Sequence, residues 1–255
     1  MKTSGLFNVR EFGAVGDGAS KDTTAIQAAI DAANAAGGGE VRVPAGRYVT
    51  GTLYLKSHVD FNVCAGATIE ASKDPADYNP WDVCPQNCRS ETENHEGGHL
   101  FLCVGQTDVT LRGAGTVFGN GRHFMTDGFD RARIGRKTGV NALGGHNAQD
   151  AIKWRPAQML WFCECSQVRL EGLHLIDSPY WTVLLHGCED VAVHGLFIRT
   201  SRADPVIMNG DGLNIDCCRT CASRTATSRP PTIRSASGPT ANDWSTRHAK
   251  PPSSP

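Results

Sequence analysis

"CSQVRLEGLHL" (165–175) and "CEDVAVHGLFI" (188–198) decide the fold. Superimposed at an offset of 23 residues, Cys165 meets Cys188, Val168 meets Val191 and Leu170 meets Val193. Gly172 then meets Gly195, Leu173 meets Leu196 and Leu175 meets Ile198. "TDVTLRGAGTV" (107–117) is a looser third copy. Each unit reads as a short strand, a turn and another short strand. One unit alone has nothing against which to bury its apolar side, whereas stacked units share a continuous core. The pattern predicts an all-β chain coiled as a parallel β-helix. The alternative is an antiparallel β-sandwich with turns every roughly 8–12 residues, and the fixed period argues against it.

Upstream of the repeat the period changes. "DTTAIQAAIDAANAAGGG" (22–39) sets Ala25, Ile26, Ala29, Ile30 and Ala33 on one helical face. Asp22 or Thr23 is placed to N-cap this helix, and Gly37–Gly39 ends it. In "EVRVPAGRYVTGTLYLKSHVDFNVCAGATIEAS" (40–72) the apolar residues alternate, as at Val41 and Val43, Leu53 and Leu55, and Val59, Phe61 and Val63. Glycine and proline cut this run into short strands. The helix is expected to cap the first coil. Two stretches break the rhythm: 74–99, with Trp81, His95 and His99, and the Gly-, Asn- and Arg-rich 121–150. In a solenoid such insertions gather as loops on one face, often the binding face.

Bulk composition excludes several classes. A net charge of −1 gives no electrostatic means of capturing nucleic acid or an anionic membrane. No apolar run approaches the roughly 18 residues of a membrane span. The start, "MKTSGLFNVREFGAVGDG", has no apolar signal-peptide core, which points to the cytoplasm, or to a secreted or periplasmic location if the start codon is wrongly assigned. Ten cysteines are present, but Cys163 and Cys165 alternate within one apolar run and Cys217 and Cys218 are adjacent, unlike a zinc site or a disulfide scaffold. They read as buried thiols. Cys84 and Cys88 form the best disulfide candidate.

The character changes at Thr220. Of the 36 residues from there on, 13 are Ser or Thr and six are Pro, with no Val, Leu, Phe or Met. That composition offers too little apolar surface to offset the entropy of ordering. The expected organisation is a β-helix part over 1–219 and a tail over 220–255 that is disordered or read out of frame. If one base is lost after the Arg219 codon, the codons of the tail permit "DVRISDCDIATADDTICLRA". That string restores the strand alternation and carries a paired aspartate.

"NGDGLNID" (209–216) is the candidate site. Gly210 and Gly212 allow a tight turn around Asp211. Strand alternation groups Asp211, Leu213 and Ile215 on one face and Gly212, Asn214 and Asp216 on the other. Leu213 and Ile215 are expected in the core, with Asp211 swung outward at the strand start. A calcium loop needs more oxygen ligands at regular spacing than this stretch has. A catalytic carboxylate needs a partner, which the next coil can supply.

Together, "FGAVGDGASKDTTAIQAAIDAA" (12–33), "GGGEVRVPAGRYVTGTLYLKSHV" (37–59), "GATIEAS" (66–72), the run 155–196 and "NGDGLNID" resemble glycoside hydrolase family 28, the polygalacturonases and related pectin-degrading enzymes. The resemblance spans about residues 7–219. It implies a right-handed parallel β-helix and inverting hydrolysis of a pectic poly- or oligosaccharide by a monomer, without cofactor or metal. The family's Asn-Thr-Asp motif falls on Asn209, Gly210 and Asp211, with glycine in place of threonine. Asp211 is then a carboxylate that activates water, supported by Asn209. The family's Gly-Asp-Asp, Gly-His-Gly and Arg-Ile-Lys motifs are absent, so the chain is expected to have little or no activity. His174, His186 and His194 lie inside strands and do not replace them, and Trp181 reads as a packed corner aromatic. The other functions considered are a non-catalytic carbohydrate-binding coil and a pectate-lyase-like enzyme.

Overall fold

The computed structural model describes residues 5–80, 98–124, 155–200, 207, 210–227 and 234–235. Every strand pairing within it is parallel, and successive strands climb through three faces of one coil. The first face runs through Gly5–Asn8, Gly39–Val43, Val59–Val63, Thr107–Gly113 and Ser166–Glu171 to the start of Glu189–Arg199. The second runs through Asp17–Lys21, Gly46–Thr50, Ala67–Ala71, Thr116–Phe118 and His174–Ile176 to the end of Glu189–Arg199. The third stacks Leu53–Tyr54, Phe101–Val104, Leu160–Cys163, Val183–His186, Leu213–Asp216 and Arg234–Ser235. The chain is therefore a parallel β-helix.

The repeat alignment is the physical register. Val168 pairs with Val191 and Leu170 with Val193 on one face, and Leu175 pairs with Ile198 on the next. The looser copy joins in register, Val109 on Val168 and Leu111 on Leu170. These pairs extend into inward ladders. Val41, Phe61, Leu111, Leu170 and Val193 stack on the first face, and Tyr48, Ile69, Val117, Leu175 and Ile198 on the second. Leu53, Phe101, Leu160, Val183 and Leu213 stack on the third. All are buried. Each large aliphatic rung contributes about 1.5–3 kcal/mol by leaving water, so the stack rather than any single coil holds the fold.

The helix occupies Thr23–Ala35 and buries Ile26, Ala29, Ile30 and Ala33 against the first coils. Gly37 and Gly38 end it with φ of 84° and 125°. Asp22 stands at the N-cap position, but its carboxylate does not cap the helix. It accepts from the N–H groups of Val15 and Gly16 at 2.6 and 3.1 Å, tying the preceding loop to the helix start. Thr23 accepts from the Gly51 N–H at 2.9 Å.

One corner of the coil is built by paired left-handed residues. Gly105 and Asp108 (φ 63° and 55°) open one coil, and Glu164 and Gln167 (52° and 55°) the next. Gly187 and Asp190 (63° and 55°) and then Cys217 and Thr220 (53° and 52°) repeat the device. The chain can therefore leave the third face and enter the first within a few residues. Asn79 fixes the base of the 74–99 insertion, its Oδ1 accepting from Gly98 N at 3.1 Å and His99 N at 2.9 Å. Residues 81–97, including Trp81, Cys84, Cys88 and His95, and residues 125–154 lie outside the described residues. Among the described residues, no helix is long and apolar enough to cross a membrane.

The strand Arg219–Thr227 runs through the boundary expected at Thr220, pairing in parallel with Glu189–Arg199, and Arg234–Ser235 pairs with Leu213–Asp216. A backbone ladder needs only N–H and C=O groups. Side-chain burial does not accompany it: Cys221 pairs with the buried Val191, yet is itself exposed.

Candidate active site

The third face begins the same way on successive coils. Phe101 N bonds to Met159 O at 2.9 Å, Leu160 N to Thr182 O at 2.9 Å and Val183 N to Gly212 O at 3.1 Å. The residue just before each of these accepting carbonyls belongs to a second ladder, in which Gln158, Trp181 and Asp211 occupy equivalent places. Thr182 N bonds to Asp211 O at 2.7 Å, closing the last step. Asp211 thus stands at the threshold of the last long strand of this face, half-buried.

Gly210 is required there. A Cβ at this position would lie 2.4 Å from Thr200 Cγ2, and the Thr200 hydroxyl donates to Gly210 O at 3.2 Å. Asn209 lies outside the described residues.

The outward side of this face is unusual for a sheet surface. Register places Tyr54, Leu102, Trp161, Leu184 and Asn214 in one outward ladder. Leu102, Trp161, Cys163 and Leu184 form a buried cluster separate from the coil interior, with Val104 and Trp181 packed against it. Trp181 also stacks on Tyr180, centroids 5.2 Å apart, in keeping with a packed corner aromatic. Among the described residues, the buried atoms Gln158 Oε1, Trp161 Nε1, Thr182 Oγ1 and Asn214 Nδ2 in this region have no hydrogen-bond partner. An unsatisfied buried polar group costs about 1–3 kcal/mol, and such groups gather where a ligand supplies the missing partner. Three of the four stand within one residue of the Gln158–Trp181–Asp211 ladder or in the Asp211 strand. Sequence reasoning missed them, because their proximity comes from the stacking of coils and is visible only once the register is known.

Next along the strand, His186 Nδ1 lies 2.8 Å from Asp216 Oδ2 on the following coil. The hydrogen bond from His186 holds the Asp216 carboxyl below its ordinary range, against the opposing effect of burial. His174 and His194 are exposed sheet residues, His174 meeting Phe197 edge-on. His99, expected in a surface loop, is fully buried, its Nδ1 2.9 Å from Gln158 O and its ring packed on Trp161. Elsewhere, Glu70 is buried on the second face. Burial acts to raise its carboxyl, but hydrogen bonds from Arg47 and Asn120 hold it below its ordinary range. Among the described residues, no group of three or more His, Cys, Asp or Glu side chains is placed to hold a metal ion.

Residues 6–72 match the family described as rhamnogalacturonase A/epimerase, pectate lyase-like. The chain is 42% identical over 149 residues to mannuronan C5-epimerase AlgE3 of Azotobacter vinelandii, covering 55% of this chain and 8% of that protein. It is 26% identical over 214 residues to a probable polygalacturonase of Vitis vinifera, covering 82% of this chain and 39% of that one. The chain thus spans well under half the length of these relatives. The crystal structure of a hyperthermoactive exopolygalacturonase from Thermotoga maritima superimposes with a TM-score of 0.67 at 24% identity, over 88% of this chain and 52% of that one. The chain carries the parallel β-helix fold of the polygalacturonases.

Proposed function

We propose that the chain is part of a glycoside hydrolase that cleaves a pectic, galacturonide-type polysaccharide or oligosaccharide by inverting acid–base chemistry. The observation that carries this reading is the placement of Asp211 at the strand threshold, beside a dry outer face with four unpartnered polar atoms. Thr182 and Asn214, on adjacent coils but not in register with each other, add a hydroxyl and an amide to this face. In the reaction Asp211 accepts a proton from a water that attacks the anomeric carbon. A carboxylic acid on the opposite side of the bond protonates the leaving oxygen.

That acid has to come from the next coil, and the lost-base reading supplies one. The left-handed corner positions of the preceding coils hold Asp108, Gln167 and Asp190, whereas position 220 holds a β-branched threonine at φ 52°, a poor occupant of that region. The shifted frame puts aspartate at 220, valine at 221 and isoleucine at 223. Positions 221 and 223 pair with Val191 and Val193, so the shifted frame continues both inward ladders. The same frame puts the two aspartates at positions 232 and 233. Position 234 pairs with Asn214, so the aspartates come one coil beyond Asp211.

The test is release of reducing ends from polygalacturonate by two proteins, the chain as encoded and the chain with one base restored after the Arg219 codon. Hydrolysis by the restored chain, lost in its Asp211→Asn form, supports the proposal. A restored, folded chain that leaves the polymer intact overturns it. A second reading, epimerisation or elimination on a polyuronate, is favoured by the 42% identity to a mannuronan C5-epimerase. Elimination predicts new reducing ends accompanied by an unsaturated product, whereas epimerisation predicts deuterium uptake at C5 from heavy water with no new reducing ends.

A further inference from the structure

At the coil corner three cysteines make the same contacts on successive coils. Cys165 Sγ donates to Cys103 O and Cys163 O, both at 3.3 Å. Cys188 Sγ reaches Phe162 O and His186 O at 3.4 and 3.5 Å, and Cys218 Sγ reaches Leu185 O and Asp216 O at 3.4 and 3.3 Å. Each thiol therefore bonds the carbonyl two residues before it and an inward-facing residue of the coil below. Only the first coil of the series differs in what lies beneath. Cys188 and Cys218 sit above Phe162 and Leu185, but Cys165 sits above Cys103, and the two sulfurs are 3.6 Å apart.

We propose that Cys103 and Cys165 are a modification site, joined as a disulfide when the protein meets a low-molecular-weight disulfide such as oxidised glutathione. One cysteine thiolate attacks a reagent sulfur, forming a mixed disulfide and releasing one reagent thiol. The second cysteine attacks the protein sulfur of that adduct and releases the other reagent thiol. Two cysteine thiols and one reagent disulfide become one protein disulfide and two reagent thiols, the cysteine protons passing to the released thiolates. Closing 3.6 Å to the bond length of about 2.05 Å is within reach of side-chain rotation. Both residues are 1% exposed, so the reagent enters only when the corner opens locally, and the reaction is slow. The bond would link two coils whose cysteines are separated by 62 residues of chain, including the Gly-, Asn- and Arg-rich stretch 121–150. A bridge closing so long a loop restrains the unfolded chain strongly. The Cys188 side chain also approaches Cys165, but among the described residues no group of three or more His, Cys, Asp or Glu side chains is placed to hold a metal ion, which argues for covalent pairing over metal capture.

The full chain is incubated with oxidised glutathione, quenched in acid, unfolded, alkylated and digested. The expected result is two fewer free thiols and a reducible peptide pair joining Cys103 to Cys165, with the melting temperature raised by about 5 °C. The Cys165→Ser chain loses both the cross-link and the shift, and Cys103→Ala serves if that variant does not fold. The inference is overturned if Cys103 and Cys165 are both recovered alkylated after prolonged oxidation. It is overturned equally if either pairs instead with Cys188, Cys84 or Cys88.

Discussion

His186 and Asp216 stand opposite one another on adjacent coils, Nδ1 to Oδ2 at 2.8 Å, on the outward side of the face that carries Asp211. The pair couples the last fully formed rungs of that face. Its contribution depends on the charge of Asp216, whose carboxyl is held below its ordinary range by the His186 hydrogen bond. A depressed carboxylate stabilises the fold above its unfolded-state pKa, and that gain is lost as pH falls through the folded value. The side chain is 35% exposed, so solvent screening limits the effect to about 1 kcal/mol or less. Urea unfolding of Asp216→Asn should show that deficit at pH 7. The gap to wild type should narrow as the pH drops below about 4. An equal deficit at both ends of the range would assign the loss to packing.

Glu70 presents the buried version of the same problem. Its carboxylate is 5% exposed and is held by Arg47 and by Asn120 Nδ2, the latter at 3.1 Å. Asn120 also donates to Ala71 O at 2.6 Å and has φ 52°, so the carboxylate helps pin a left-handed residue at the second corner. Glu70→Ala should cost about 1–2 kcal/mol by removing the carboxylate acceptor of the buried Asn120 amide, while the largely exposed Arg47 guanidinium turns to water. Glu70→Gln, which keeps an acceptor for one of them, should cost less. Chemical denaturation of the two variants distinguishes these outcomes, and equal costs would show that the charge rather than the hydrogen bonds matters.

The steric limit at Gly210 allows a cleaner test of how Asp211 is placed. Gly210→Ala sets a methyl 2.4 Å from Thr200 Cγ2, an overlap of the kind that costs about 1–3 kcal/mol. Thr200→Ser removes that methyl and should recover most of the loss. A double-mutant cycle on thermal stability should return a favourable coupling of about 1 kcal/mol. Additive effects would place the strain elsewhere. In a catalytically complete chain, Gly210→Ala should lower kcat more than it raises KM, because it displaces Asp211 and not the surface that holds the sugar.

How much of this was readable from residues alone depended on periodicity. The 23-residue offset between Cys165 and Cys188 gave the coil and its register, since stacking forces equivalent residues into contact, as at Val168 and Val191. The helix face was equally plain, because Ile26, Ala29, Ile30 and Ala33 follow a single geometric rule. The role of Asp22 was not, because a carboxylate at an N-cap position has nearby loop amides as rival partners, and Val15 and Gly16 won. His99 lies between strands as expected, but its burial was not legible, because it arises from contacts with Gln158, 59 residues away, and Trp161. The buried polar atoms of Gln158, Thr182 and Asn214 leave no local signature at all. They become a cluster only through the third-face register.

The last corner carries a prediction that depends on backbone alone. The positions equivalent to Thr220 on the three coils below are Asp190, Gln167 and Asp108, all at φ 55°, and Thr220 itself adopts 52°. Aspartate and asparagine tolerate this left-handed region, whereas a β-branched side chain crowds its own carbonyl there. Thr220 is exposed, so replacing it disturbs no packing and isolates the backbone term. Thr220→Asn should therefore raise stability by about 0.5–1 kcal/mol, and Thr220→Gly by a similar amount reduced by its greater unfolded-state freedom. Thr220→Val, with the same branching and no hydroxyl, should give no gain. Hydrogen exchange at the Arg219 amide, which bonds Cys188 O at 2.8 Å, should slow in the asparagine variant if the corner is strained by threonine. Unchanged exchange and stability in all three variants would mean that the strand from Arg219 onward contributes nothing to the folded coil.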